Sequence, residues 1–270
     1  MSNNTHNNEP LFIDGMKDSD YRNAVGLSQS SLKKFMISPA HYLASLEEKE
    51  EPTKAMIFGS AYHAHILCKN PENFYAVKEK VDGRSKEGRA YNDKFDAENT
   101  GKFIITQEDY EKILKMESAL KSHPLANELI TQATHKEVAL FSSYESPNKT
   151  MVRLKGMIDG YNSHNGHIFD LKTAEDASPS GFRKAIWDRK YDIQQIHYQH
   201  LLHMNARPIG QFFFIAQEKE PPFAVGVYTI TYESLIKASN IWKNQIERFS
   251  ECQKTGEYPA YSENAIEINL

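Results

Sequence analysis

The chain has 270 residues, 40% hydrophobic and 25% charged, which suits an ordinary soluble globular protein whose core needs no covalent staples. Its two cysteines, Cys68 and Cys252, exclude a disulfide framework and a four-cysteine zinc or iron–sulfur centre built from this chain alone, and suit a cytoplasmic protein with reduced thiols. No run of about 18 apolar residues occurs, which excludes a membrane-spanning helix, and a formal net charge of −4 argues weakly against a nucleic-acid binder unless basic residues cluster in a groove.

Residues 1–26 open polar and Asn-rich and read as a flexible tail, with 27–270 as a single domain. From Leu27, Ser28 and Ser30 supply N-cap chemistry, and Leu32, Phe35 and Met36 follow at helical spacing. Ser38-Pro39 ends that helix and starts another, because proline restricts the residue before it and fits a first helical position. A further helix is expected over 55–67. Residues 80–102, with Gly83, Gly88 and Gly101, read as an exposed loop and a polar helix. The run 107–121 is amphipathic, with Tyr110, Ile113, Leu114 and Met116 on one stripe.

The period then changes. Residues 137–144 alternate apolar and polar, and 150–161 and 167–173 are also strand-like, with turn signals at Pro147-Asn148 and across 162–166. An antiparallel meander is predicted, followed by a long helix over 186–204, strands over 211–216 and 223–229, and a last helix over 232–252. The fold class expected is α/β, an α+β mixed sheet flanked by helices.

The chemistry concentrates in Lys155-Gly-Met-Ile-Asp159-Gly and Phe169-Asp170-Leu-Lys172-Thr173. Asp159 ends one strand and Asp170 lies in the next, so the two can stand side by side in an antiparallel pair. Paired carboxylates repel unless a cation separates them, and hard oxygen ligands suit Mg²⁺, with Mn²⁺ able to substitute. Lys172, two residues beyond Asp170, shares its strand face and can orient a water or offset transition-state charge; arginine is the poorer choice, since it cannot easily give up a proton. An Asp-x-Lys triplet on a strand is by itself usually a solvated face. Gln194 and Tyr198, four apart on a helix, share a face and can contact phosphate or position Lys172; viewed alone they read as a polar rim.

Asp159, Asp170-Leu-Lys172 and Gln194-x-x-x-Tyr198 together resemble the PD-(D/E)xK nuclease superfamily in its RecB-like branch, and within it the RecE-like exonucleases. Leu27-Ser-Gln-Ser-Ser-Leu32, Ser38-Pro-Ala40 and Phe58-Gly-Ser-Ala-Tyr-His63 extend the likeness from about Leu27 to about Pro259. The proline-aspartate pair of the superfamily's name is absent, since Ile158 precedes Asp159. The resemblance implies a restriction-endonuclease-like core and metal ligation by His63, Asp159, Asp170 and the Leu171 carbonyl, with Glu137 as an additional acidic position. Lys172, Gln194 and Tyr198 join Asp159 and Asp170 as catalytic positions. It also implies one or two Mg²⁺ ions and 5′-to-3′ digestion of linear double-stranded DNA to leave 3′ single-stranded tails. Phage-type recombination with a single-strand annealing protein, a homo-oligomeric ring near a tetramer, and the cytoplasm of a bacterial or phage-infected cell complete the picture. The rivals are an endonuclease or helicase-associated nuclease of the same superfamily, and a non-catalytic DNA-binding module.

Arg84, Lys86 and Arg89 form either a basic loop on DNA phosphates or a solvated loop. Phe182, Trp187 and Tyr191 could stack on an unpaired base, though core packing is favoured. His65 reads as a packed or surface helix histidine.

Overall fold

The computed structural model describes residues 9–47, 51–262, 265 and 267. Its centre is a mixed six-stranded sheet. Strands β4 (His135–Glu145), β5 (Met151–Tyr161) and β6 (Ile168–Ala174) form the expected antiparallel meander. β7 (Phe212–Glu218) then runs parallel to β6, and β8 (Val225–Tyr228) returns antiparallel to β7. A parallel neighbour needs a long crossover. Helices α8 (Pro179–Arg189) and α9 (Tyr191–Met204) provide it.

The sheet is covered on both faces. On one lie α2 (Gln29–Ile37), α9 and α10 (Tyr232–Thr255), where Leu32, Phe35, Leu201 and Trp242 pack with Leu140, Leu154 and Phe214. On the other lie α4 (Lys54–Leu67) and α6 (Gln107–Ser122), where Ala61, Tyr62, Ile113 and Met116 pack with Phe169, Leu171 and Ile215. Ser28 caps α2, accepting from the Ser31 amide, and α3 (Pro39–Glu47) begins at the predicted proline. Among the described residues no helix is long and apolar enough to cross a membrane.

Several elements differ from expectation. Residues 1–8 of the predicted tail lie outside the described residues, but its remainder is built into the fold. β1 (Leu11–Ile13) pairs antiparallel with residues 139–141 of β4, and α1 (Asp18–Asn23) follows. The buried Lys155 ammonium explains why α1 is held: it donates to the carbonyls of Tyr21, Arg22 and Ala24 at 2.9, 3.2 and 2.7 Å. The helix expected over 186–204 is divided at Lys190, whose left-handed φ of 54° turns α8 into α9. A parallel pair, β2 (Tyr75–Lys78) with β3 (Phe103–Thr106), and helix α7 (Pro124–Gln132) were not predicted. Residues 80–102 contain a loop and then α5 (Lys86–Glu98).

Candidate active site

The site forms where the β-ladder is interrupted. Val152, Leu154 and Ile158 alternate onto one face of β5, yet Tyr161 returns to the same core after three residues instead of two or four. The ladder pairs Lys136 with Gly160 and Val138 with Ile158, passing over the opposed Glu137 and Asp159. Glu137 has φ 52°, a left-handed conformation rare for a side chain of its size within a strand. Beyond Gly160–Phe169 the β5–β6 pairing stops. Asp159 fills the opening gap, where its Oδ2 accepts the Leu171 amide at 2.7 Å.

Helix α4 brings His63 to this gap. Thr53 caps it, accepting from the Met56 amide, and Phe58, Ala61 and Tyr62 form its buried face. Tyr62 donates its hydroxyl to the Gln217 side chain and so ties α4 to β7. His63 Nδ1 lies 3.6 Å from Asp159 Oδ2. One ligand atom from each of His63, Glu137 and Asp159 falls within 4.8 Å of the others. The Leu171 backbone is within hydrogen-bonding reach of the His63 imidazole.

Asp170 stands beside that trio. One of its carboxylate oxygens meets the Lys172 ammonium, and the other accepts from the Gln194 side-chain amide. Tyr198, four residues on, is buried on the same face of α9 as Gln194. Tyr191, first residue of α9, lies under Lys172, whose Nζ is 4.7 Å from the ring centroid.

Burial and crowding set the charges. Glu137 is pushed up to about 8 by burial, reinforced by Asp159, Asp18 and Asp170. Burial raises Asp159 to about 6, against the opposing pull of Lys172 and the Leu171 amide. Asp170 also rises to about 6, through burial first, with Asp159 adding to it and Lys172 opposing. His63 falls to about 4, mainly from burial and then from Lys172. Burial would depress Lys172, but Asp170, Tyr191 and Asp159 outweigh it and hold its pKa above the ordinary value. Lys172 is therefore held charged while the neighbouring carboxylates carry no metal. Three carboxylates with an imidazole and one committed ammonium leave an excess of negative charge, which a hard divalent cation would offset.

The structure thus brings His63 and Asp159 together with Glu137, and sets Asp170, Lys172, Gln194 and Tyr198 beside them; Asp170, expected among the metal ligands, lies outside the trio because Lys172 and Gln194 take its two oxygens. Arg84, Lys86 and Arg89 are exposed on α5 and the turn before it, and none lines the cleft that holds the trio. That cleft, of about 530 Å³, is also bordered by Asp18, Arg22 and Arg189. Lys33 of α2 was missed by sequence reasoning. Its Nζ lies 5.3 Å from the Tyr191 centroid, and burial, with Lys172, lowers it to about 8. Its signal, one lysine among two after a serine cap, does not distinguish a site residue from a solvated face. Phe182 and Tyr191 are buried as favoured, whereas Trp187 is exposed. His65 is packed between the Tyr75 hydroxyl at 2.9 Å and Glu117 at 3.3 Å.

No curated protein matches the chain. A crystal structure described as "Putative exonuclease", from Eubacterium rectale, is similar with a TM-score of 0.61, 14% identity, and coverage of 94% of this chain and 96% of that one. A second structure, SSO0001, has a TM-score of 0.32 at 13% identity over 81% and 84% of the two chains, too low to bear on the fold. The former shows the fold alone. A family model matches residues 28–269, and the chain belongs to that family, the PDDEXK-like domain of unknown function DUF3799.

Proposed function

We propose that this chain is a divalent-metal-dependent deoxyribonuclease that digests linear double-stranded DNA as an exonuclease. The observation that carries this reading is the His63–Glu137–Asp159 trio beside the Asp170–Lys172 pair, in an open cleft. Membership of a PDDEXK-like family supports a nuclease, and the exonuclease description of the Eubacterium rectale protein supports end-directed cutting.

The residues divide the work. His63, Glu137 and Asp159 would hold Mg²⁺ or Mn²⁺, with the Leu171 carbonyl and Asp170 at the margin of the set. Such an ion, when bound, polarises phosphate and lowers the pKa of water. Lys172, kept protonated, offsets charge gathering on the phosphoryl oxygens. Gln194 fixes Asp170, which fixes Lys172, and Tyr198 is buried beside Gln194 on the same helix. Five-prime-to-three-prime polarity, 3′ single-stranded tails, a single-strand annealing partner, a ring-like homo-oligomer and phage-type recombination are proposed with it, on the RecE-like motifs.

Digestion of linear duplex DNA with Mg²⁺, with EDTA, and by Lys172→Ala with Mg²⁺ tests the reading. Degradation in the first reaction alone is expected. Equal DNA loss in all three refutes it, and degradation of covalently closed circles assigns internal cutting instead.

A further inference from the structure

The corner between α8 and α9 presents an aromatic ring that the proposed chemistry does not use. Trp187 is 70% exposed, while Trp242, the other tryptophan, is 2% exposed. Its immediate neighbours are cationic. Arg183, four residues earlier, shares its helix face. Lys190 Nζ lies 4.4 Å from the Trp187 ring centroid. The left-handed turn at Lys190 folds that side chain back over the ring. Lys184 is paired with Asp188 at 2.5 Å, the acidic residue of the segment 183–190. An exposed indole flanked by Arg and Lys on one short segment is poorly explained by folding, because it buries little apolar area.

The corner is continuous with the catalytic cleft. Arg189, two residues after Trp187, borders the cleft of the metal-ligating trio. A furrow lined by the cations Lys172, Lys184 and Arg189, by the acids Glu175, Asp176 and Asp188, and by Tyr191 runs between the end of β6 and α8, with Lys184 and Asp188 paired. Tyr191, one of its lining residues, carries the Lys172 ammonium over its ring. A strand with one phosphate beside Lys172 can follow this furrow onto α8. There Arg183, Arg189 and Lys190 face its phosphates, and the indole offers a π-face to an unstacked base. In a duplex the bases are stacked and paired, so such a platform selects unpaired nucleotides.

We propose that Trp187 is a base-stacking platform for an unpaired DNA strand adjoining the cleft, with Arg183, Arg189 and Lys190 as its phosphate contacts. This inference rests on the nuclease reading for its placement, but its test does not depend on hydrolysis. Both tryptophans emit, but only the exposed Trp187 can be stacked on by a ligand, so quenching that is lost in Trp187→Ala reports on that ring. Titration with a 20-nucleotide oligo(dT) in EDTA should quench the wild-type emission in a saturable, salt-sensitive manner. Trp187→Ala should weaken oligonucleotide binding about tenfold, measured with a labelled strand, and Trp187→Phe should restore most of it. A blunt hairpin should quench less than the open strand. Unchanged emission, or equal oligonucleotide affinity in wild type and Trp187→Ala, overturns the platform even where duplex digestion proceeds normally. So does a change in solution mass on Trp187→Ala without an effect on oligonucleotide binding, which assigns the patch to a protein contact. Quenching without any digestion of duplex DNA by the wild type leaves the platform standing and removes the nuclease reading.

Discussion

Glu137 and Asp159 face each other across the β4–β5 pair at a step the hydrogen-bond ladder passes over, with Glu137 in a left-handed conformation. Two acids opposed at a strained, half-buried step repel each other, and regular alternation would separate them from His63. Above pH 8, where Glu137 is ionised, Glu137→Gln removes one charge without changing shape. Metal-free Glu137→Gln should therefore be more thermostable than the wild type, while its divalent-ion affinity falls roughly 10- to 100-fold. Calorimetric titration and thermal unfolding of the same samples check both directions, and a loss of metal-free stability contradicts the repulsion argument.

The raised carboxylates set a pH dependence. Asp159 and Asp170 titrate near 6 and Glu137 near 8 in the fold, above their ordinary values. The folded state then binds more protons than the unfolded state, so metal-free stability is greatest below about pH 4 for these groups. It declines as pH rises through 6 and toward 8. A bound divalent cation offsets that decline once the acids ionise. The gain in melting temperature from Mg²⁺ or Mn²⁺ should accordingly be larger at pH 8.5 than at pH 5. An equal or larger gain at pH 5 contradicts it.

His197 gives the opposite slope. Trp242 donates its indole N–H to His197 Nδ1 at 3.1 Å, which obliges Nε2 to donate to the Lys155 carbonyl at 2.9 Å. Protonation would turn two donors toward each other, and burial holds the group down near 4. Its contribution to stability is full above the unfolded value near 6.5 and is lost as pH falls toward 4. His197→Ala should lower unfolding free energy by about 2–4 kcal/mol at pH 7.5, through a cavity and an unpaired buried indole N–H. The deficit should shrink at pH 5. Urea unfolding at both pH values measures it, and a deficit that grows in acid would reverse the assignment.

Lys172 and Gln194 should separate in kinetics. Lys172→Ala should reduce turnover by roughly 10²–10³-fold. Lys172→Arg should not restore it, because the larger, planar guanidinium cannot occupy the enclosed position in which the compact ammonium meets Asp170. Gln194→Ala frees one Asp170 oxygen and should lower turnover with a smaller change in KM. Steady-state digestion of an end-labelled duplex reports both, and full activity in Lys172→Arg contradicts the role given to the ammonium.

Much of this site was legible in the sequence. Asp170 and Lys172 share a strand face and Gln194 and Tyr198 a helix face, because both periodicities are local and regular there. Glu137 was visible only as an acidic residue on the preceding strand. Its central place depends on a positive φ, which a glutamate does not advertise. Lys33 reaches the Tyr191 ring and Arg189 the cleft through tertiary packing of α2 and the α8–α9 turn, which no spacing rule encodes. The break at Lys190 carries neither glycine nor proline, so an unbroken helix was the natural reading. Leu11–Ile13 is too short to show an alternation and becomes a strand only by pairing with the edge of β4. Arg84, Lys86 and Arg89 look like a phosphate-binding cluster in sequence, and they are exposed on α5 and the turn before it without lining the cleft.

Divalent-ion ligation by His63, Glu137 and Asp159 underlies every functional step above, and anomalous scattering from crystals soaked in Mn²⁺ tests it most directly. A peak within ligating distance of all three side chains, lost in Glu137→Gln, is the expected result. A peak elsewhere, or none at saturating Mn²⁺, would contradict the metal site and the hydrolytic chemistry built on it.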